Sequence, residues 1–176
     1  MKINLEDKIR TIPDFPKKGI MFKDITPLLQ DPKAFHLVIE KIIDHFKSKK
    51  ITAIVCAESR GFIFGAVLAY QLNAAFVPLR KPGKLPYKTY RQEFQTEYST
   101  DSFEIHVDGI KKGDNVLIVD DLLATGGTAK AAVDIVEKLG GKIAGIAFVI
   151  ELSFLKGRDK LKGHDVFTLI TYDKEI

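Results

Sequence analysis

The sequence predicts an α/β fold with a mainly parallel central sheet flanked by helices. Short apolar runs of strand length recur at 51–57, 75–79, 115–119, 143–150 and 165–170. Helical patterns lie between most of them, so the chain alternates strand and helix. Such alternation implies right-handed crossovers and a sheet covered on both faces. There is no internal repeat, low-complexity tract or interdomain linker, and residues 1–176 are expected to form a single domain.

The elements follow in order. Residues up to about 30 are broken by Pro13, Pro16, Gly19 and Pro27, too often for a long helix or a central strand, and read as a hood over the sheet edge. Asp31 and Pro32 then open a helix, the first as N-cap and the second at the first helical position. Phe35, Val38, Ile39, Ile42, Ile43 and Phe46 recur along it at helical spacing, and the lysine-rich 47–50 close it. The run 51–57 is a buried strand, 62–72 a second helix and 75–79 another strand. Residues 80–100 differ, being rich in Lys, Arg, Tyr, Glu and Gln, with Pro82, Gly83 and Pro86 near the start. This stretch reads as a long, mobile excursion, partly β-hairpin, with a strand at 103–107 returning from it. The strand 115–119 and a helix over 128–139 follow, joined across Gly126 and Gly127. Gly140 and Gly141 stop that helix, and strands at 143–150 and 165–170 finish the chain.

Composition narrows the function classes only slightly. Of 176 residues, 28% are charged with a formal net charge of +4, and the basic residues are dispersed. That argues against a nucleic-acid tail but leaves small anions as partners. The single cysteine, Cys56, sits in an apolar strand and reads as a buried, inert thiol. One cysteine builds no internal disulfide, and the N-terminus has no signal-like apolar segment. No stretch is long and apolar enough to span a membrane, so a cytoplasmic location is expected.

The most informative string is Val116-Leu117-Ile118-Val119-Asp120-Asp121-Leu122-Leu123-Ala124-Thr125-Gly126-Gly127-Thr128. An apolar strand ends in paired carboxylates, and a loop of small residues then enters a helix. In open α/β sheets, ligands sit at the carboxyl ends of the strands. Thr125, Gly126, Gly127 and Thr128 can offer N–H groups and hydroxyls to a phosphate at that helix start. Two carboxylates beside a phosphate would repel it, unless they hold sugar hydroxyls or a cation. A phosphorylated sugar resolves the conflict: the loop takes the phosphate and the acids take the diol. A Walker A loop would need a Gly-Lys-Thr or Gly-Lys-Ser end, which is absent. A response-regulator receiver would carry its aspartate pair near the start of the domain, not at Asp120.

This string closely resembles the PRPP-binding motif of type I phosphoribosyltransferases. The resemblance implies that Asp120 and Asp121 hold the ribose hydroxyls, while Ala124, Thr125, Gly126, Gly127 and Thr128 hold the 5′-phosphate. Glu58-Ser59-Arg60-Gly61 is similar to the family's short pyrophosphate loop, with Glu58 where Asp is frequent and a cis peptide expected at Glu58-Ser59. Arg60 would there meet the pyrophosphate anion. Arg80, Lys81 and Lys84 resemble the basic segment that engages pyrophosphate, partly across a dimer interface. Glu97-Tyr98 resembles the Glu-Tyr-Gly of adenine phosphoribosyltransferases, in which the glutamate is the candidate acid/base, although Ser99 stands where glycine is usual. Tyr98 joins the PRPP site by the same resemblance.

The hood resembles the base-recognising segment of the adenine enzymes. Backbone around Met21 and Lys23 would read the adenine edge and Phe22 would stack on the ring. These motifs cover nearly the whole chain in one order, so the type I phosphoribosyltransferase fold is expected, with a hood at about 1–30 and a flexible catalytic loop at about 80–102. The implied reaction is purine salvage: adenine N9 attacks PRPP, giving AMP and pyrophosphate. No His/Cys cluster suggests a metal held by protein side chains, so Mg²⁺ is expected to arrive on PRPP. The resemblance also implies a homodimer, with no nucleic-acid or membrane partner. The alternatives are a phosphoribosyltransferase for another purine, and a non-catalytic purine- or PRPP-sensing regulator, for whose DNA-binding module this chain has no room.

Overall fold

The computed structural model describes residues 3–95 and 100–175. A five-stranded, wholly parallel sheet forms its centre, built from β3 (Ala53–Ala57), β4 (Ala75–Leu79), β7 (Asn115–Leu123), β8 (Lys142–Leu152) and β9 (Val166–Tyr172). The spatial order is β4-β3-β7-β8-β9, which puts β7 in the middle. The expected parallel α/β sheet is therefore present.

Alternation along the strands divides the core in two. Ile54, Cys56, Leu117 and Val119 face one side, where α2 (Pro32–Phe46) and α3 (Gly61–Leu72) pack over them. Ala53, Val55, Val116 and Ile118 face the other, under α4 (Gly127–Lys138). Asp31 caps α2, its carboxylate accepting from the N–H groups of Lys33 and Ala34. Cys56 is fully buried, and burial pushes its thiol well above the ordinary range, as suits an inert group. Among the described residues, no helix is long and apolar enough to cross a membrane.

Two small ribbons flank the sheet. β1 (Arg10–Pro13) and β2 (Met21–Asp24) pair antiparallel and are followed by the short α1 (Thr26–Gln30), so the punctuated hood contains strands after all, though not in the central sheet. β5 (Thr89–Gln95) and β6 (Thr100–His106) form the hairpin of the excursion. The sheet differs from expectation at one important place. β7 does not stop at Val119 but runs to Leu123, so the acidic pair lies within a paired strand. The reason is tertiary: β8 is 11 residues long and offers partners as far as Glu151, opposite Leu123.

Candidate active site

The site begins at the carboxyl end of β7. Gly126 takes a left-handed φ of +78° and turns the chain into α4, whose first turn has no side-chain cap. Its leading N–H groups therefore lack a partner from a capping side chain. Gly127, Thr128 and Ala129 line a cavity of about 330 Å³, with Thr125, Lys81 and the acidic pair around it. An uncapped helix start opening into a cavity is an anion site by its electrostatics.

α3 reaches the same place from the other side. A Cβ on Gly61 would lie 2.9 Å from Asp120 Oδ1 and 3.1 Å from the Val119 carbonyl oxygen, so glycine lets this helix start touch the acidic pair. Asp121 is only 4% exposed. Its Oδ2 lies 2.9 Å from Arg60 Nε, an ion pair whose alignment falls short of a hydrogen bond. Burial raises its carboxyl above the aspartate range, although Arg60 opposes the rise. Asp120 is pushed well up by burial and by the neighbouring Asp121 charge, and its Oδ1 accepts from the Asp121 N–H at 2.9 Å. The raised carboxyls show that the protein around the pair disfavours two ionised aspartates there, with Arg60 the partner that opposes the rise.

Glu58 and the basic segment form a second cluster, which reaches the cavity through Glu58 and Lys81. The Glu58–Ser59 peptide is cis, as the resemblance implies. The Glu58 carboxylate accepts from the Lys81 N–H at 2.5 Å and from Arg80 Nη2 at 3.1 Å, with Lys84 Nζ at 3.5 Å. Burial alone would raise Glu58, but these donors more than offset it and hold its carboxyl below the glutamate range. Lys81 pairs with Asp101 and lies over the Phe103 ring.

A second cavity, of about 640 Å³, opens beneath the hood ribbon. Met21 and Phe22 line it with Leu122, Leu152 and Leu155. Arg60 stands 5.0 Å over the Phe22 ring, and Phe15 meets the same ring edge-on at 5.1 Å. The Lys23 side chain is 3% exposed, its Nζ donating to Thr11 Oγ1 at 2.9 Å and lying over the Tyr172 ring. β1 pairs with β2 along one edge, from Arg10 opposite Asp24 to Pro13 opposite Met21. Arg60, Leu122, Ala124 and Thr125 line both cavities. A larger opening of about 830 Å³ lies between the N-terminal segment, α2 and β9. The helix start there is already capped by Asp31, so it offers no comparable anion site.

Comparison with known proteins gives this arrangement its context. A phosphoribosyl transferase domain model matches residues 24–174. An adenine phosphoribosyltransferase of Kosmotoga olearia is 56% identical over 170 residues, covering 97% of this chain and 100% of that protein. The chain belongs to the adenine phosphoribosyltransferase family. Family members also share its shape. A crystal structure of adenine phosphoribosyltransferase from Thermoanaerobacter pseudethanolicus matches with a TM-score of 0.92 at 54% identity, covering 96% of this chain and 100% of that one. One from Saccharomyces cerevisiae, complexed with D-2,5-dideoxy-2,5-imino-altritol 1,6-bisphosphate and adenine, matches with a TM-score of 0.88 at 44% identity. It covers 94% of this chain and 96% of that one. The type I phosphoribosyltransferase fold expected from the sequence is the fold of the chain.

Within this phosphoribosyltransferase fold, the residues singled out from sequence divide into groups. Asp120, Asp121, Ala124, Thr125, Gly126, Gly127, Thr128, Arg60 and Lys81 converge on the first cavity. Met21, Phe22 and Lys23 line the second. Arg80 and Lys84 do not line the first cavity and are tied to Glu58 instead. Arg60, expected among the pyrophosphate contacts, pairs with Asp121 and faces the hood, because the turn into α3 points it between the two cavities. Glu97 and Tyr98 lie outside the described residues. Sequence reasoning missed Phe103, Phe148, Leu152, Phe154 and Leu155 as cavity walls. Apolar residues within strands or in the short turn after β8 carry no pattern that separates a ligand wall from core.

Proposed function

We propose that the chain transfers the 5-phosphoribosyl group of PRPP to N9 of adenine, forming AMP and pyrophosphate in purine salvage. One observation carries this reading: an anion cavity at an uncapped helix start adjoins an apolar cavity under an aromatic ribbon, with Arg60, Leu122, Ala124 and Thr125 as their common wall. A phosphorylated sugar and a planar base joined through one bond need two such compartments.

In this reading the N–H groups and hydroxyls of Ala124, Thr125, Gly126, Gly127 and Thr128 hold the 5′-phosphate. Asp120 and Asp121 accept from the ribose hydroxyls, and their shortage of positive partners suits an incoming cationic centre. Lys81, with Arg80 and Lys84, receives the pyrophosphate; the last two first exchange Glu58 for it. Phe22 stacks on adenine, and the backbone of β2 around Met21 and Lys23 reads its polar rim. Glu97 accepts the N9 proton once the hairpin closes over the site, and Tyr98 completes the PRPP contacts. Closure also keeps water from the reactive sugar.

The donor set fits Mg²⁺ carried in by PRPP better than an ion housed by the protein. Among the described residues, Glu58, Asp120 and Asp121 are the carboxylates lining the cavity, and Glu58 is committed to Arg80 and Lys84. When bound, the ion would neutralise charge on the pyrophosphate and engage the ribose hydroxyls beside Asp120 and Asp121.

A homodimer is part of the same proposal. Ile63, Ala66, Val67 and Tyr70 recur at helical spacing on α3, with Ile63 39% and Tyr70 85% exposed. An apolar stripe of this kind supports a twofold contact. The lone, buried Cys56 supports a reducing, cytoplasmic setting.

Pyrophosphate release is measured with PRPP, Mg²⁺ and a panel of purines. Adenine should give product, with hypoxanthine, guanine and xanthine far behind. Product from another base and none from adenine would overturn the assignment.

A further inference from the structure

The chain between β8 and β9 passes along the base cavity and then against the loop at the start of α4. Phe154 and Leu155 line the base cavity, and two residues later Gly157 is buried against the phosphate loop. A Cβ on Gly157 would lie 2.1 Å from the Ala124 carbonyl oxygen and 2.9 Å from the Gly126 nitrogen. One on Gly126 would lie 2.4 Å from the Gly157 carbonyl oxygen. The two backbones touch with no room for a side chain on either, so wherever Gly157 moves, the loop must follow.

The residues after Gly157 fix its place. Arg158 donates from Nε to Glu151 Oε1 at 3.0 Å and from Nη2 to Glu151 Oε2 at 2.5 Å. It also donates from Nη1 to the Val166 carbonyl at 2.9 Å and from Nη2 to Thr168 Oγ1 at 3.2 Å. Thr168 in turn donates to Glu151 Oε2 at 3.0 Å. This two-pronged pairing fixes direction as well as distance. The Glu151 side chain is 8% exposed and that of Arg158 47%, so the acceptor is buried in the sheet and the donor spans outward to hold the turn. Leu161, 1% exposed, anchors the far end in the core beside α4.

We infer that Arg158 is a positioning residue for the 5′-phosphate loop: its fork on Glu151 holds Gly157 against Ala124 and Gly126, which keeps the loop's N–H groups converged on the phosphate. The inference rests on reading residues 124–128 as the phosphate cradle. Arg158 itself lines neither cavity, so it acts through the backbone of Gly157.

The test compares affinities for AMP and adenosine, which differ by the phosphate alone, in the full-length protein. Arg158→Gln, Arg158→Lys and Gly157→Ala are measured beside Thr125→Val and Thr128→Val, with a melting temperature for each. A cradle displaced by about 1 Å should weaken AMP binding by about 10- to 100-fold in Arg158→Gln and Gly157→Ala. Adenosine binding should stay within about twofold, a shift too small to reflect a lost contact. Arg158→Lys should fall between, because an ammonium cannot span both Glu151 oxygens. Should Arg158→Gln fail to fold, Arg158→Lys and Gly157→Ala carry the same comparison. A purely structural role would lower the melting temperature and move both affinities together, which overturns the inference. An unchanged AMP-to-adenosine ratio in these variants, with the ratio collapsed by Thr125→Val or Thr128→Val, also overturns it but leaves the cradle reading intact. If the threonine variants keep the ratio too, the cradle reading falls and this inference with it.

Discussion

Replacing Asp120 by asparagine should stabilise the free protein while impairing it as an enzyme. Two neighbouring carboxylates share one nearby guanidinium, and Arg60 lies against Asp121 at 2.9 Å. Asp120 has the Asp121 N–H and the start of α3 beside it, and its carboxyl is pushed well up by burial and by the Asp121 charge. Two like charges about 4 Å apart repel by about 4 kcal/mol at an effective dielectric of about 20. The helix start returns about 0.3–1 kcal/mol, and partial protonation of Asp120 removes more of the penalty. A net relief of about 1–2 kcal/mol is therefore expected from Asp120→Asn at neutral pH. For a chain of this size that is a rise of about 2–8 °C in Tm. The sign of the pH dependence follows from linkage. A raised folded pKa means that the folded state holds more protons than the unfolded one between the ordinary aspartate value and the raised one. Wild-type stability thus falls as pH rises through that window, and asparagine, which does not titrate, escapes the fall. Thermal scans from about pH 4 to about pH 8.5 should show the two proteins converging at the acid end and separating toward the alkaline end. With Asp120 holding a ribose hydroxyl as proposed, the same change should remove a charge-assisted hydrogen bond to it and cost about 10- to 150-fold in kcat/KM for PRPP. A variant no more stable than wild type at the alkaline end, or a gap that does not widen with pH, would refute the reasoning.

Two further outcomes test the hood and the core. Phe22→Ala, which removes a ring held between Phe15 and Arg60, should raise KM for adenine by about 5- to 150-fold, the worth of one base–aromatic stack. Steady-state kinetics should show KM for PRPP nearly unmoved, and an equal rise in both constants would count against stacking. Gly145→Ala would set a Cβ 2.1 Å from Phe46 Cε1, in a part of the core where Phe46 is only 2% exposed. Overpacking of about 1–3 kcal/mol should lower Tm by about 2–12 °C with catalysis at room temperature preserved, and an unchanged Tm would mean that the ring has somewhere to go.

The sequence by itself determined the sheet, because 53–57 and 116–119 are apolar on both faces, and only a strand covered on both sides buries such a run. It also marked the loop proposed to hold the phosphate, since paired carboxylates followed by small residues at a helix start leave few chemical readings. The hood's composition excluded a core element, yet the ribbon inside it was invisible, because β1 and β2 are too short for any periodicity to show. Tertiary structure alone decided how far β7 runs: pairing with β8 carries it past the acidic pair. It alone set Arg60 between the two cavities, against Asp121 and Phe22, and drew Arg80 and Lys84 onto Glu58. These are choices of partner among charges that lie 22 to 61 residues apart, as between Arg60 and Asp121 or Arg80 and Glu58, and only folding brings them within reach. The contact between Gly126 and Gly157 is of the same kind. A glycine in a sequence shows that a side chain is absent, and only the packed backbone shows what takes its place.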